Sequence, residues 1–136
     1  MGYVYSPTDV SISVDGFEVT GYAEDSMVEI SRNSEARTLH VGAQGEVVVT
    51  LTADRSGQIK INLKQNSPAN QKLTELYNQL ESFSCIVKDS SLPNSSASGS
   101  ECYVQKLPDW KRGKEVGEVE WVLLVADLDM TCDGLL

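Results

Sequence analysis

The stretch from Leu63 to Phe83 combines the end of a strand, a helix start signal and a single apolar helix face. Ser67 is predicted to be the N-cap, because a serine oxygen accepts hydrogen bonds from the free N–H groups of a first turn. Pro68 follows at the first helical position, where its fixed φ favours the helix and its missing N–H costs little. These signals predict a helix over residues 67–83.

The apolar residues of this predicted helix recur at helical spacing and form its expected core face: Leu73, Leu76, Tyr77, Leu80 and Phe83. One narrow apolar stripe cannot form a core with itself, so the helix is expected to lie against a sheet.

Alternating polar and apolar residues predict strands through most of the remaining chain. Residues 10–14 alternate and lead into Asp15-Gly16, a turn signal that predicts a hairpin. Residues 46–52, 58–64 and 118–128 also have strand patterns. The predicted fold class is mainly β with one α-helix, built as two packed antiparallel sheets or an open barrel. A chain of 136 residues fits a single domain, here residues 1–136.

Three segments lack a clear strand or helix pattern. Residues 1–8 are interpreted as an N-terminal arm that docks onto its own domain or onto a neighbour. Residues 32–45 are polar and long for a connection between two strands, which predicts a functional loop. Residues 89–100 are rich in serine and are predicted to form an exposed turn.

The charge and cysteine content narrow the function. Eleven basic and twenty acidic residues give a net charge of −9, which argues against ordinary nucleic-acid binding. Three cysteines without a CxxC pattern, Cys85, Cys102 and Cys132, predict buried thiols in a reducing compartment. No apolar run approaches the roughly 18 residues of a membrane helix, so we expect no membrane contact.

The search for catalytic or metal-binding residues gives no candidate. His40 is the one histidine, so no pair of histidines is available for a metal, and nothing near it predicts a nucleophile. Acidic pairs such as Asp127 and Asp129 are expected by composition alone in so acidic a chain. We therefore expect no catalytic residue, metal or cofactor, and no enzyme activity.

A series of short motifs, taken in order, resembles the tail tube proteins of contractile-tailed phages. In that family, the strand before the helix runs into the pattern leucine, any residue, glutamine, threonine, serine, proline, any residue, asparagine. Asn66 stands here in place of the threonine. The matching positions around it are Gly57, Leu63, Gln65, Ser67, Pro68 and Asn70, and similar motifs occur at Tyr5-Ser6-Pro7, residues 23–26 and residues 42–46.

This resemblance implies a β-sandwich with one flanking helix. It also implies a homo-hexameric ring whose inner sheets join into one barrel, with rings stacked into a hollow tube, as in tailocin and type VI secretion tubes. Such a tube lies inside a contractile sheath and is the conduit for DNA ejection, and DNA crosses it without specific binding. The expected partners are the sheath, tape measure and baseplate proteins, and the expected location is the virion tail, assembled in the host cytoplasm.

The resemblance also suggests positions for the contacts. Ring stacking and subunit contacts are assigned to the arm and the long loop, at Tyr3, Val4, Tyr5, Arg32, Arg37, Leu39 and His40. A hairpin of residues 27–31 and 46–52 is expected to face the lumen with Glu29, Glu46, Val48, Thr50 and Thr52. An acidic lumen repels phosphate and so favours DNA transit.

Two alternatives stay open. Another ring of the same tail, such as a terminator or baseplate hub, would share the fold without polymerising. A monomeric β-sandwich binding module, for carbohydrate for example, would need exposed aromatic residues on one face, and Trp110 is the candidate.

Overall fold

A computed structural model describes residues 10–22, 28–89, 95–109, 113 and 117–132. The predicted fold class is confirmed: the described chain is mostly β, with one helix and two antiparallel sheets. The elements in chain order are β1 (Val10–Val14), β2 (Phe17–Glu18), β3 (Val28–Arg32), β4 (Arg37–Val41), β5 (Val47–Leu51), β6 (Gly57–Lys64), α1 (Ala69–Asn78), β7 (Phe83–Asp89), β8 (Ser95–Val104), β9 (Glu118–Val125) and β10 (Asp129–Cys132).

The larger sheet has eight strands among the described residues and surrounds a single core. Its order is β2-β1-β7-β8-β9-β6-β3, and β10 pairs with β8. The inward side chains of β1, β6, β7, β8 and β9 all join one cluster, so the sheet curls around its own core as an open barrel. Among the fully buried side chains of this cluster, the largest are Ile12, Ile59, Ile61, Leu63, Leu73, Leu123 and Leu128.

The predicted first hairpin is present. β1 and β2 pair through Val14 and Phe17, and the turn between them places Asp15 at φ 51° and Gly16 at φ 78°. Two positive φ values in a two-residue turn match the right-handed twist of the flanking strands.

The exposed turn predicted over residues 89–100 is wrong for Asp89, which ends β7, and for residues 95–100, which belong to β8. Residues 90–94 lie outside the described residues. The absence of a side chain at Gly99 of β8 leaves room for the side chain of Val125 of β9. A Cβ added at Gly99 would lie 2.4 Å from Cγ1 of Val125, so a larger residue would clash there.

The helix starts close to the predicted position but ends earlier. Helix α1 begins at Ala69 with Pro68 as its N-cap, so the predicted N-cap at Ser67 and the predicted first helical position at Pro68 each lie one residue too early. The Ser67 hydroxyl oxygen accepts a 3.2 Å hydrogen bond from the Ala69 N–H. The same hydroxyl donates to the carbonyl of Thr20. Gln79 is extended, with ψ 145°, and it terminates the helix. The predicted extension to residue 83 is therefore wrong.

The shorter helix changes the predicted core face. Leu73 and Leu76 are buried as expected, whereas Tyr77 is 41% exposed and Leu80 is 97% exposed beyond the end of the helix. Phe83 is buried, but it lies in β7 opposite Cys102 of β8. Pairing between β7 and β8 requires the chain to leave the helix before Phe83, and this tertiary contact overrides the helical spacing.

Within the described residues, α1 is too short and too polar to cross a bilayer.

Candidate assembly surface

The second sheet is a two-stranded hairpin of β4 and β5 that stands apart from the core. Each strand pairs only with the other among the described residues, and all ten of their residues are exposed. At its tip, Gly42 and Glu46 are joined by a backbone hydrogen bond of 2.7 Å, and Gly45 takes φ 88°. The hairpin therefore projects from the barrel as a separate arm.

Two predictions about this region are wrong. Residues 32–45 contain strand β4, so they are not one long loop. The expected hairpin of residues 27–31 with 46–52 does not form, because β3 pairs with β6 and β5 pairs with β4. The physical reason is proximity along the chain: a tight turn brings β4 and β5 together before any longer-range pairing is needed.

The β4–β5 ladder separates the hairpin into two chemically different faces. Residues directly opposite each other share a face, and successive residues alternate between faces. The pairs Leu39 with Val49 and Val41 with Val47 lie on one side, with Leu51 opposite Arg37. We call this side the apolar face, formed by Leu39, Val41, Val47, Val49 and Leu51. The other side is the polar face, formed by Thr38, His40, Val48 and Thr50.

The apolar face is an unusual surface for an isolated chain. Its five side chains are between 53% and 71% exposed. A two-stranded hairpin alone is at best marginally stable in water, and contiguous exposed apolar residues usually mark an interaction site. The hairpin thus carries a surface that is suited to being covered by another molecule.

The predicted contact residues fall at different places. Arg37 and Leu39 lie on the apolar side of the hairpin and His40 on the polar face, whereas Arg32 ends β3. Tyr3, Val4 and Tyr5 lie outside the described residues. The sequence does not predict that Val41, Val47, Val49 and Leu51 form an exposed apolar surface. These residues alternate with others along the chain, but they can be assigned to one shared face only once β4 is known to pair with β5.

The predicted lumen residues are divided between the two sheets. Val48 and Thr50 lie on the polar face, and the exposed Glu46 and Thr52 flank β5. Glu29 is exposed in β3, opposite Lys60 of β6. The structure therefore brings four of these residues together and leaves Glu29 in the barrel.

A short neck joins the hairpin to the barrel. Four residues, 33–36, separate β3 from β4, and five residues, 52–56, separate β5 from β6. The Asp54 carboxylate accepts bonds from the Ser34 hydroxyl at 2.7 Å, the Ser56 hydroxyl at 2.6 Å and the Ser56 N–H at 2.9 Å. These hydrogen bonds lower the pKa of Asp54 to about 2. The largest contributions come from the Ser56 side chain and then the Ser34 side chain.

A groove of about 520 Å³ lies elsewhere, between α1 and residues 107–109. Trp121 contributes to its lining but is only 2% exposed, and its indole N–H is bonded to Asn70. Trp121 is therefore poorly placed to stack against a sugar, while Trp110 lies outside the described residues. In the part of the chain that the structure describes, no group of three or more His, Cys, Asp or Glu residues is placed to hold a metal ion.

Comparison with known proteins gives a consistent result. A family model described as the bacteriophage PhiTE tail tube protein matches residues 3–132. A structural protein, ORF10, of Pseudomonas phage KPP10 is 26% identical over 132 residues, covering 88% of this chain and 76% of the relative.

Several solved structures share the fold. The sheath/tube terminator of an extracellular contractile injection system, PVC, has a TM-score of 0.63 at 15% identity, covering 96% of this chain and 99% of the other. The tube-terminating cap of the anti-feeding prophage has a TM-score of 0.61 at 11% identity, covering 96% and 93%. A chain of the PVC sheath–tube complex has a TM-score of 0.60 at 12% identity, covering 95% and 92%.

Proposed function

This chain belongs to the bacteriophage PhiTE tail tube protein family, and on that basis we propose that it builds the inner tube of a contractile phage tail. In this proposal, hexameric rings stack into a hollow conduit through which DNA leaves the particle. The role is structural, and no catalytic step is involved.

The observation that carries this proposal is the exposed apolar face of the hairpin. In a tube made of one protein, every copy presents the same projecting face, and the surface that covers it belongs to another copy. Such a head-to-tail contact is heterologous, and it either closes into a ring or continues as a helical filament. Leu39 and Arg37 take part in this contact, and Arg32, His40 and the arm residues Tyr3, Val4 and Tyr5 contribute around it.

The polar face of the hairpin is the side that suits a water-filled lumen. Val48 and Thr50 present small side chains there, and Glu46 and Thr52 extend the same strand. The polar face includes no Lys or Arg, the side chains that neutralise phosphate, and the chain's net charge of −9 repels it. DNA therefore crosses without specific binding.

Strand β3 offers a second contact between copies. It is the last strand of the larger sheet, and its outer edge has no strand partner among the described residues. Unpaired edges invite pairing with another chain, and closure of a barrel removes them. Pairing at β3 would join neighbouring sheets into one barrel and bring Glu29 to the lumen.

The wider assembly follows from this placement. The sheath protein surrounds the tube, the tape measure protein occupies the lumen before DNA, and baseplate proteins cap one end. The chain belongs to the virion tail and assembles in the cytoplasm of the bacterial host.

A tube terminator is the second candidate, because two structural neighbours are a sheath/tube terminator and a tube-terminating cap. A terminator forms one ring and stops. The two roles therefore differ in whether rings of this chain stack on each other.

The test compares charge introduced on the two faces of the hairpin. Val49→Asp places a carboxylate on the apolar face, and Val48→Asp places the same group on the polar face at a neighbouring position of similar exposure. In sedimentation velocity, we expect the unaltered chain and Val48→Asp to form large assemblies and Val49→Asp to stay small. If Val49→Asp assembled at the same protein concentration as the unaltered chain, the proposal would be contradicted. If the unaltered chain formed single rings and no larger assembly, the terminator function would be favoured.

A further inference from the structure

We propose that Asp54 is a positioning residue that fixes the direction in which the β4–β5 hairpin leaves the barrel. This inference rests on the proposed function for its consequence, which is that the apolar face meets the neighbouring copy at a defined place. The inference itself concerns the neck, residues 33–36 and 52–56.

The pairing register changes across the neck. Arg32 lies opposite Gly57 at the end of the β3–β6 ladder, and Arg37 lies opposite Leu51 at the start of the β4–β5 ladder. Four residues on one strand thus face five on the other. An extra residue on one strand bends it and increases the local twist, as in a β-bulge. Backbone hydrogen bonds continue the pairing into the neck from both ends, from the Asn33 N–H to the Ser56 carbonyl at 3.1 Å and from the Thr52 N–H to the Ala36 carbonyl at 2.9 Å. The bend therefore lies between these bonds, at residues 34–35 and 53–55.

The Asp54 carboxylate connects the two sides of this bend. One oxygen accepts both the N–H and the hydroxyl of Ser56, and the other oxygen accepts the hydroxyl of Ser34 from the opposite strand. An aspartate turn needs only the bond to the residue two positions on. The bond to Ser34 joins residues that are 20 positions apart, so it constrains the neck as a whole.

Further bonds join the two strands of the neck and connect the neck to the barrel. The Asn33 side-chain amide donates across the neck to the Ser56 hydroxyl at 2.9 Å. The Arg55 Nε donates to Asp127 at 2.7 Å, and the Arg55 carbonyl accepts the N–H of Leu128 at 2.9 Å. Leu128 is fully buried in the core. Asp54 therefore lies between Arg55, which is bonded to the barrel, and the projecting hairpin.

A fixed hairpin direction lowers the entropic cost of assembly. A hairpin that moves freely relative to the barrel loses conformational entropy when it docks, and this loss weakens the contact. A preorganised neck avoids this loss of entropy. Removing the carboxylate should leave the barrel folded and weaken assembly.

The direct experiment measures the hairpin direction in the full-length chain at a dilution where it is unassembled. Residual dipolar couplings of the hairpin amides, compared with those of the barrel, report this direction and its averaging. We expect one rigid orientation in the unaltered chain and reduced couplings, in the hairpin alone, for Asp54→Ala. Unchanged hairpin couplings in Asp54→Ala would overturn the proposal.

The second experiment measures the critical concentration for assembly. Asp54→Ala removes three hydrogen bonds and is expected to raise this concentration about tenfold or more, and Ser34→Ala removes one bond and is expected to raise it less. Glu35→Ala is the matched control, because Glu35 is an exposed carboxylate of the same neck and no hydrogen bond to it is found among the described residues. Equal critical concentrations for Asp54→Ala and Glu35→Ala would overturn the assembly role.

The outcomes separate this inference from the proposed function. If Val49→Asp assembles normally, the proposed function fails, while the dipolar couplings still decide whether Asp54 orients the hairpin. If thermal denaturation shows no folding transition for Asp54→Ala, the hairpin direction is measured in Ser34→Ala instead, because this variant keeps two of the three hydrogen bonds to Asp54. Unchanged hairpin couplings in that variant would also overturn the inference.

Discussion

The indole N–H of Trp121 donates a 2.9 Å hydrogen bond to the side-chain oxygen of Asn70. The Asn70 amide nitrogen in turn donates to the carbonyls of Lys64 and Gln65 at 3.0 and 3.1 Å. One side chain therefore connects β9, the end of β6 and the first turn of α1. Because Trp121 is buried, loss of this partner would leave its N–H without a hydrogen bond.

Asn70→Ala is expected to lower the free energy of unfolding by about 2–3 kcal/mol, since it removes this set of bonds and leaves a buried donor unpaired. Asn78→Ala, at the exposed end of the same helix, is expected to change it by no more than about 0.5 kcal/mol. Urea denaturation of the dilute chain measures both variants. Equal effects would mean that the Asn70 side chain does not connect these elements.

The two described thiols should be unreactive in the folded chain. Burial raises the pKa of Cys85 to about 12 and that of Cys102 to about 11, so both stay protonated at pH 8. The thiolate is the nucleophile in alkylation, so iodoacetamide should modify these residues in urea and not under native conditions. Peptide mass spectrometry distinguishes the sites, and rapid native modification of Cys85 would contradict the buried position.

The Asp54 carboxylate should titrate well below an ordinary aspartate. Its pKa is about 2 because it accepts bonds from Ser56 and Ser34, so the ionised form is favoured in the folded chain. These bonds should be intact above the ordinary aspartate pKa of about 3.9 and be lost as the pH falls through about 2. Carbon-13 NMR of the carboxyl group measures the pKa of Asp54, and Ser34→Ala should raise this pKa. An ordinary pKa in the unaltered chain would mean that the neck bonds do not form.

Charge reversal at Glu29 tests the lumen assignment. Glu29→Lys should permit tube formation and slow DNA ejection, because a positive side chain in the lumen attracts phosphate. Glu75→Lys makes the same charge change on the exposed side of α1 and should leave ejection unchanged. Ejection kinetics from particles carrying each variant measure the effect. A normal rate of DNA ejection from assembled tubes of Glu29→Lys would mean that Glu29 does not face the lumen.

Local signals in the sequence predicted much of the barrel. The Asp15-Gly16 turn, the alternation in β6 and the Ser67-Pro68 start of the helix each depend on residues close together in the chain. The structure confirms each of them within a residue or two. Leu73 and Leu76 face the core for the same reason.

Long-range pairing was not predictable in this way. β3 selects β6 rather than β5, and nothing in the alternation of either strand specifies its partner. Leu80 continues the helical spacing but is exposed, because the chain turns away to place Phe83 in β7. The sequence does not predict strand β4, because its polar residues show no buried face and its apolar face stays exposed among the described residues.

Electron microscopy of the purified full-length chain, negatively stained at high concentration, tests the central claim most directly. The account predicts hollow tubes of stacked rings, and it predicts that Val49→Asp abolishes them. A field of compact single copies, in the unaltered chain and under all concentrations tried, would contradict it.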